Sequence, residues 1–199
     1  MCEKIKIRVI HLNTRNCKIM AGDRVVAKMP CKNARNHGLD DGIELSQQAF
    51  QRIRDDLLVP EAVNMATSWL ARREMSPLQV NQGLRRRGFS SDIIDLALNR
   101  LQEYGYVDDK RFAMALVNLR QNSQPYGRIR LIADLRAKGI TGEAADLALQ
   151  KFNEDEAIRL AAEIGKRRGL KGRKMYNFLY RRGFTSQAIQ RIINVTTDE

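Results

Sequence analysis

Three segments of this 199-residue chain follow one pattern, and that repetition limits its fold more than any other feature. Leu84-Arg85-Arg86-Arg87-Gly88-Phe89-Ser90-Ser91 leads into Asp92-Ile93-Ile94-Asp95-Leu96-Ala97-Leu98. Leu135-Arg136-Ala137-Lys138-Gly139-Ile140-Thr141-Gly142 leads likewise into Glu143-Ala144-Ala145-Asp146-Leu147-Ala148-Leu149. The third copy runs from Leu179-Tyr180-Arg181-Arg182-Gly183-Phe184-Thr185-Ser186 into Gln187-Ala188-Ile189-Gln190-Arg191-Ile192-Ile193. In each copy a helix ends in a basic residue. Glycine then takes the left-handed position that side chains resist, and an apolar residue (Phe89, Ile140, Phe184) seals the turn. Ser90, Thr141 and Thr185 are placed to cap the following helix by accepting a backbone N–H.

Ahead of each glycine an i, i+4 apolar pair marks one buried helix face: Val80 with Leu84, Leu131 with Leu135, Met175 with Leu179. A further helix precedes each pair. Pro60–Arg73 carries Val63, Ala66 and Leu70; Asp108–Asn122 carries Phe112, Leu116 and Leu119; Asn153–Arg168 carries Ile158, Ala161 and Ile164. The expected fold is therefore mainly α, with three tandem three-helix repeats over 60–107, 108–152 and 153–199 forming an elongated curved array. Trp69 is expected in the first repeat's core. Gly83, inside a helix, should cost about 1 kcal/mol relative to alanine.

Residues 1–59 read differently. Ile5, Ile7 and Val9 alternate with Lys4, Lys6 and Arg8, the period of a half-buried strand. Arg24–Lys28 is expected to pair with it across Asn13–Gly22. Ser46 should then cap a helix carrying Ala49, Phe50, Ile53 and Leu57. This predicts a small N-terminal β-hairpin plus helix. No apolar run approaches the roughly 18 residues of a membrane span, and no signal-peptide core is present. Cys2, Cys17 and Cys31 form no C-x-x-C pair and read as free thiols in a reducing compartment, so a cytoplasmic protein is expected. His11, Cys17, Cys31 and His37 lack the closely spaced pair that zinc modules use, so neither metal nor cofactor is expected.

Charge supplies the functional lead. Lys and Arg number 35 against 23 Asp and Glu, a net charge of +12, which favours a polyanionic partner. The stretch Lys166–Arg182 contains no acidic residue and holds Lys166, Arg167, Arg168, Lys171, Arg173, Lys174, Arg181 and Arg182. Its glycines would let backbone N–H groups approach phosphates. Tyr176, Phe178 and Tyr180 follow, and they could either stack on bases or pack within the repeat. The residues Arg87, Lys138 and Arg182 answer the negative end of a helix dipole, worth roughly 0.3–1 kcal/mol. Arg85, Arg86, Arg130, Arg136 and Arg181 exceed that need and are expected to meet a partner. Part of the charge on Arg130, Asp134 and Lys138, at i, i+4 and i+8, is expected to be a solvated helix face. Asp108 and Asp109 suit a helix N-terminus better than catalysis, because no histidine or second carboxylate pair accompanies them. No Walker loop, G-x-S-x-G or H-E-x-x-H is present, so no enzyme is expected.

The run Gly105-Tyr106-Val107-Asp108-Asp109-Lys110-Arg111-Phe112-Ala113, with Gly127-Arg128-Ile129-Arg130 through Leu135-Arg136-Ala137-Lys138-Gly139-Ile140, resembles the RecX family signature. The similarity covers residues 60–195. The first repeat departs from it at Ser76-Pro77-Leu78-Gln79-Val80, and the N-terminal hairpin is not universal in that family. The resemblance implies tandem three-helix repeats lodged in the groove of a RecA recombinase filament on single-stranded DNA. It implies damping of the filament's ATPase, strand-exchange and co-protease activities. A monomer is expected because the repeats already bury one another. Single-stranded DNA, and secondarily duplex DNA, would be met through phosphate contacts. Tyr126 and Arg128, inside the signature, join the candidate interface on this ground. An autonomous DNA-binding repeat protein without a recombinase partner is the alternative expectation.

Overall fold

The computed structural model describes residues 4–195, and their contacts divide into two compact units, one ending at Val107 and the other beginning at Asp108. In the first unit, strands β1 (Lys4–His11), β2 (Asn16–Ala21), β3 (Arg24–Pro30) and β4 (Glu44–Ser46) form one antiparallel sheet in the order β3-β2-β1-β4. The alternation read at Ile5, Ile7 and Val9 is real: Ile7 is fully buried and Lys4, Lys6 and Arg8 are exposed.

The pairing differs from expectation. β3 lies on β2 and not on β1, because the chain turns back sooner than Gly22. The Asn13 side chain accepts the N–H groups of Arg15 and Asn16, closing a tight turn that starts β2 at Asn16. The hairpin is thus part of a four-stranded sheet, and a short helix α1 (Cys31–Asn36) follows β3. Ser46 caps α2 (Gln47–Ile53) as read, its hydroxyl accepting from Ala49 N at 3.1 Å. A π-helical stretch, Arg54–Leu58, then joins α2 to α3 (Val59–Leu70) without a break.

α4 (Pro77–Arg86) and α5 (Ser91–Glu103) complete this unit. One hydrophobic core spans it, from Ile7 and Ile19 on the sheet to Val80, Leu84, Ile94 and Leu101 on the helices. Residues 1–59 and the first helical triplet therefore share a core. Trp69 packs against that core, and it explains Gly83. A Cβ on Gly83 would stand 2.6 Å from Trp69 Cζ3, so the helix gives up propensity to admit the indole.

The second unit holds two helix triplets: α6 (Asp109–Asn122), α7 (Arg128–Ala137) and α8 (Gly142–Gln150), then α9 (Glu154–Arg167), α10 (Gly172–Arg181) and α11 (Ser186–Val195). Its core is separate and includes Phe112, Leu131, Leu135, Ile158, Leu179 and Phe184. On α6 the buried face is Phe112, Ala113 and Val117. Leu119, read as part of it, is exposed: seven residues after Phe112, it lies at the edge of that face in the last turn of the helix.

The turn grammar repeats as expected. Gly88, Gly139 and Gly183 have φ of +88°, +78° and +83°. Phe89 N, Ile140 N and Phe184 N donate back to Leu84 O, Leu135 O and Leu179 O, which is the six-residue closure of a Schellman cap. The caps after the turns diverge. Thr185 Oγ1 accepts from Ala188 N at 3.2 Å. Ser90 and Thr141 occupy N-cap positions but accept nothing there. Ser90 is held through its backbone, whose N–H donates to Val26 O on β3. After Thr141, Gly142 turns the chain at φ +60°, away from ordinary helical geometry.

Among the described residues, no helix is long and apolar enough to cross a membrane. Cys17 and Cys31 are free and buried; Cys2 lies outside the described residues. Burial, with Cys31 beside it, pushes the Cys17 thiol up to about 11. Cys31 Sγ lies 3.4 Å from His11 Nδ1, whereas the His37 ring meets Asn33 O. No group of three or more His, Cys, Asp or Glu that could hold a metal occurs among the described residues.

Candidate functional site

Within the second unit two backbone segments touch closely enough that only glycine fits at either contact. Gly127 N donates to Arg182 O at 2.9 Å, and Ile129 N to Gly183 O at 3.3 Å. A Cβ on Gly127 would run into the carbonyl of Gly183. A Cβ on Gly183 would meet Arg130 N at 2.5 Å. This docks the loop before α7, with buried Pro125 and half-buried Tyr126, onto the turn that ends α10.

The consequence is a ring of guanidinium groups around one phenol. Arg120, Arg130 and Arg182 lie 4.7, 5.7 and 5.6 Å from the Tyr126 ring centre. Arg182 also lies 4.6 Å from the Phe178 ring and Arg168 5.7 Å from it. Arg182 is tethered by a 2.9 Å hydrogen bond to Pro125 O. Burial draws its pKa below the ordinary value and the Arg168 charge adds to this, against an opposing effect of Tyr126. It remains a cation at neutral pH, as guanidinium groups do. Beside it a cavity of about 550 Å³ is lined by Tyr126, Arg130, Leu170, Lys174, Asn177, Phe178, Arg181 and Arg182.

Among the described residues one carboxylate, Asp134, bridges arginines of this ring. Asp134 lies 3.2 Å from Arg120 Nε and 3.2 Å from Arg130 Nε, with 16% of its side chain exposed. The Arg120 contact is coulombic, since neither Arg120 Nε nor Asp134 Oδ2 makes a directed hydrogen bond. Asp134 is thus a sheltered brace for two arginines and not the open helix face its spacing suggested. Arg120 also bonds Gln124 through its side chain.

Of the residues singled out from sequence, the fold brings together Tyr126, Arg130, Lys174, Arg181 and Arg182, with Arg168 on Phe178. Arg128 is engaged elsewhere: its guanidinium donates to Leu149 O at 3.1 Å and its N–H to Glu154. Lys166, Arg167, Lys171 and Arg173 are exposed around the α9–α10 connection and do not line the cavity. Arg136 is exposed in the last turn of α7 and Lys138 is that helix's C-cap. Arg85, Arg86 and Arg87 are exposed at the end of α4, in the first unit.

Sequence reasoning missed Arg120 and Asn177. Nothing local marks them, because a fold-dependent approach of α6, the Tyr126 loop and α10 gives them their place. Asp108 caps α6, accepting from Lys110 N at 2.8 Å and Arg111 N at 3.0 Å; these bonds hold its carboxyl below the usual range. Asp109 is shifted the other way, by burial first and by the neighbouring Asp108 charge second.

The family model described as the second three-helix domain of RecX matches residues 108–149. A regulatory protein RecX of Prosthecochloris aestuarii is 33% identical over 140 residues, spanning 67% of this chain and 92% of that protein. A regulatory protein RecX of Xanthomonas axonopodis pv. citri is 36% identical over 135 residues, spanning 64% of this chain and 83% of that one. A solved structure of regulatory protein RecX shares the fold, with a TM-score of 0.65 at 20% identity, covering 90% of this chain and 94% of that one. The matched segment carries the signature that opens α6 and continues through α7, the helix that contributes Arg130 and Asp134 to the ring. On these relationships the chain belongs to the RecX family of regulatory proteins.

Proposed function

We propose that this protein binds a RecA recombinase filament on single-stranded DNA and lowers its ATPase, strand-exchange and co-protease activities, without catalysing a reaction itself. The observation that carries the reading is the cationic cluster at Tyr126 and Phe178: Arg120, Arg130, Arg168, Arg181, Arg182 and Lys174 gather in the unit that holds the family signature, with the Asp134 carboxylate among them. Such a surface favours a polyanionic partner through coulombic encounter and counterion release. The relatives' name, regulatory protein, accords with a binding role. The reading places the protein in the cytoplasm as a monomer, with segments 60–107, 108–152 and 153–199 as its binding modules.

The test is ATP hydrolysis by RecA on single-stranded DNA, with this protein titrated well below one copy per recombinase. A fall in rate at substoichiometric ratios is expected. An unchanged rate with DNA binding intact would overturn the filament reading. It would favour the second one, an autonomous DNA-binding repeat protein, which the exposed cations Lys166, Arg167, Lys171 and Arg173 support. Replacing Lys171, Arg173 and Lys174 together by alanine should weaken filament binding and flatten its dependence on salt.

A further inference from the structure

One flank of α10, beside the core-facing Met175 and Leu179, carries a second aromatic feature that the arginine ring does not use. Tyr176 and Tyr180, one helical turn apart, stack with their ring centres 6.1 Å apart and planes inclined by 12°. The inner ring is fixed, because the Tyr176 hydroxyl donates to Ser186 Oγ at 2.9 Å. The outer ring, Tyr180, is 58% exposed. A large aromatic held flat against a fixed neighbour, with its outer side in water, loses little conformational freedom when a third ring is added to the stack.

The rings inside the cavity are differently placed. Tyr126 and Phe178 are already approached by guanidinium groups, so that pocket is suited to an anion and not to a base. Helical geometry relates the two features. At 3.6 residues per turn, Lys174 and Arg181 fall on nearly one line of α10, about 100° around the helix from Tyr180, and Arg173 shares the line of Tyr180 two turns earlier. With side chains a helix is about 10–12 Å across, so a strand that reaches both the stack and the cavity crosses about one helix width. Neither Gly172–Arg181 nor Ser186–Val195 contains an acidic residue that would repel a strand passing over them.

We propose that α10 is a single-strand nucleotide site, with an unpaired base stacked on the outer face of Tyr180 and a neighbouring phosphate seated in the cavity between Lys174, Arg130 and Arg181. It rests on the reading that the second unit meets nucleic acid, and it assigns the contact to one base and one phosphate. An unpaired strand is specified, because bases in a duplex have no free face to offer. Carboxylates of an acidic protein surface would use the cavity but leave the tyrosine stack idle.

The experiment uses the full chain and fluorescence anisotropy with a labelled oligo(dT) and a matched abasic oligomer of equal length and charge. Tyr180→Ala is expected to weaken oligo(dT) binding roughly tenfold, in the range seen when a stacked base loses its aromatic partner. Tyr180→Phe should keep wild-type affinity, and neither change should alter binding of the abasic strand. An oligomer carrying 2-aminopurine should be quenched by the wild type and by the phenylalanine variant, and not by the alanine variant. Equal oligo(dT) binding by Tyr180→Ala, or an equal loss on the abasic strand, overturns the base site. So does displacement of oligo(dT) by polyglutamate from wild type and Tyr180→Ala alike, which would assign the surface to an acidic protein. Tyr180 is exposed, so its variants should fold, and an unchanged circular dichroism melt checks this. RecA ATPase that responds to the wild type while the stacking signature is missing would discard the base site and leave the regulatory reading in place. Stacking without any response of RecA would do the reverse.

Discussion

The turns at Gly88 and Gly183 share one sequence grammar and one hydrogen-bond pattern, yet they are covered by different things. Over Gly88 lies the flexible side chain of Lys28, whose Cγ would stand 2.8 Å from an added Cβ, and the following Ser90 N–H pairs with β3. Over Gly183 lies rigid backbone, the first turn of α7 at Arg130, locked by hydrogen bonds to the Gly127 loop. The first turn is a joint between a helix pair and a sheet. The second is the floor of an arginine-rich site. A repeated cap therefore states how the chain reverses, while the element that packs on it decides what the reversal is used for.

The sharpest way to break this contrast is to add one methyl group to each turn. Gly183→Ala forces a side chain to φ +83° and against Arg130 N, and should cost about 3 kcal/mol or more. Gly88→Ala meets the same backbone strain, but Lys28 can swing aside, so about 1–2 kcal/mol is expected. Urea denaturation measures both, and equal losses would show that the covering element is irrelevant.

A second substitution tests the first unit alone. Propensity predicts that Gly83→Ala stabilises α4 by about 1 kcal/mol. The Trp69 contact reverses that sign, and a net loss of about 1–2 kcal/mol is expected. A gain in melting temperature would show that the indole has room to move.

In the second unit, Asp108→Ala should cost about 1 kcal/mol at neutral pH through the lost cap. The folded pKa of Asp108 is depressed, so its contribution is present above the unfolded value near 4 and is lost as pH falls through the lower folded value. Asp109 is the opposite case. Its folded pKa is raised, so ionisation opposes folding, and Asp109→Asn should help at neutral pH and cease to help in acid. Parallel pH dependence in the two variants would contradict this split.

The smallest expected effect returns to the two turns. Thr185→Ala removes a working cap and should cost about 0.5–1 kcal/mol. Ser90 Oγ is buried without a hydrogen-bond partner, so Ser90→Ala should be neutral or slightly stabilising. A loss at Ser90 as large as that at Thr185 would show that the hydroxyl has a partner in solution.

These residues also show where reading the chain succeeds. The glycine turns, the i, i+4 pairs and the cap at Asp108 rest on neighbours within a few residues, so local chemistry reveals them. The partner of β3, the shelter of Asp134 and the role of Arg120 depend on segments that meet only after folding. Gly83 looks like a defect until Trp69, fourteen positions earlier, is seen over it. Tyr176, Phe178 and Tyr180 are indistinguishable by spacing alone. Only the fold shows that Phe178 borders the cavity, Tyr176 is anchored and Tyr180 faces water.

The lone tryptophan gives the molecule a built-in optical label for one half of itself. Trp69 packs on the core that ends at Val107, and no tryptophan occurs beyond it. Indole emission during denaturation will therefore follow the sheet-containing unit, while ellipticity at 222 nm sums the helices of both. Where the two curves separate, the gap between them is the unfolding of the unit that carries the arginine ring, obtained without any engineered probe.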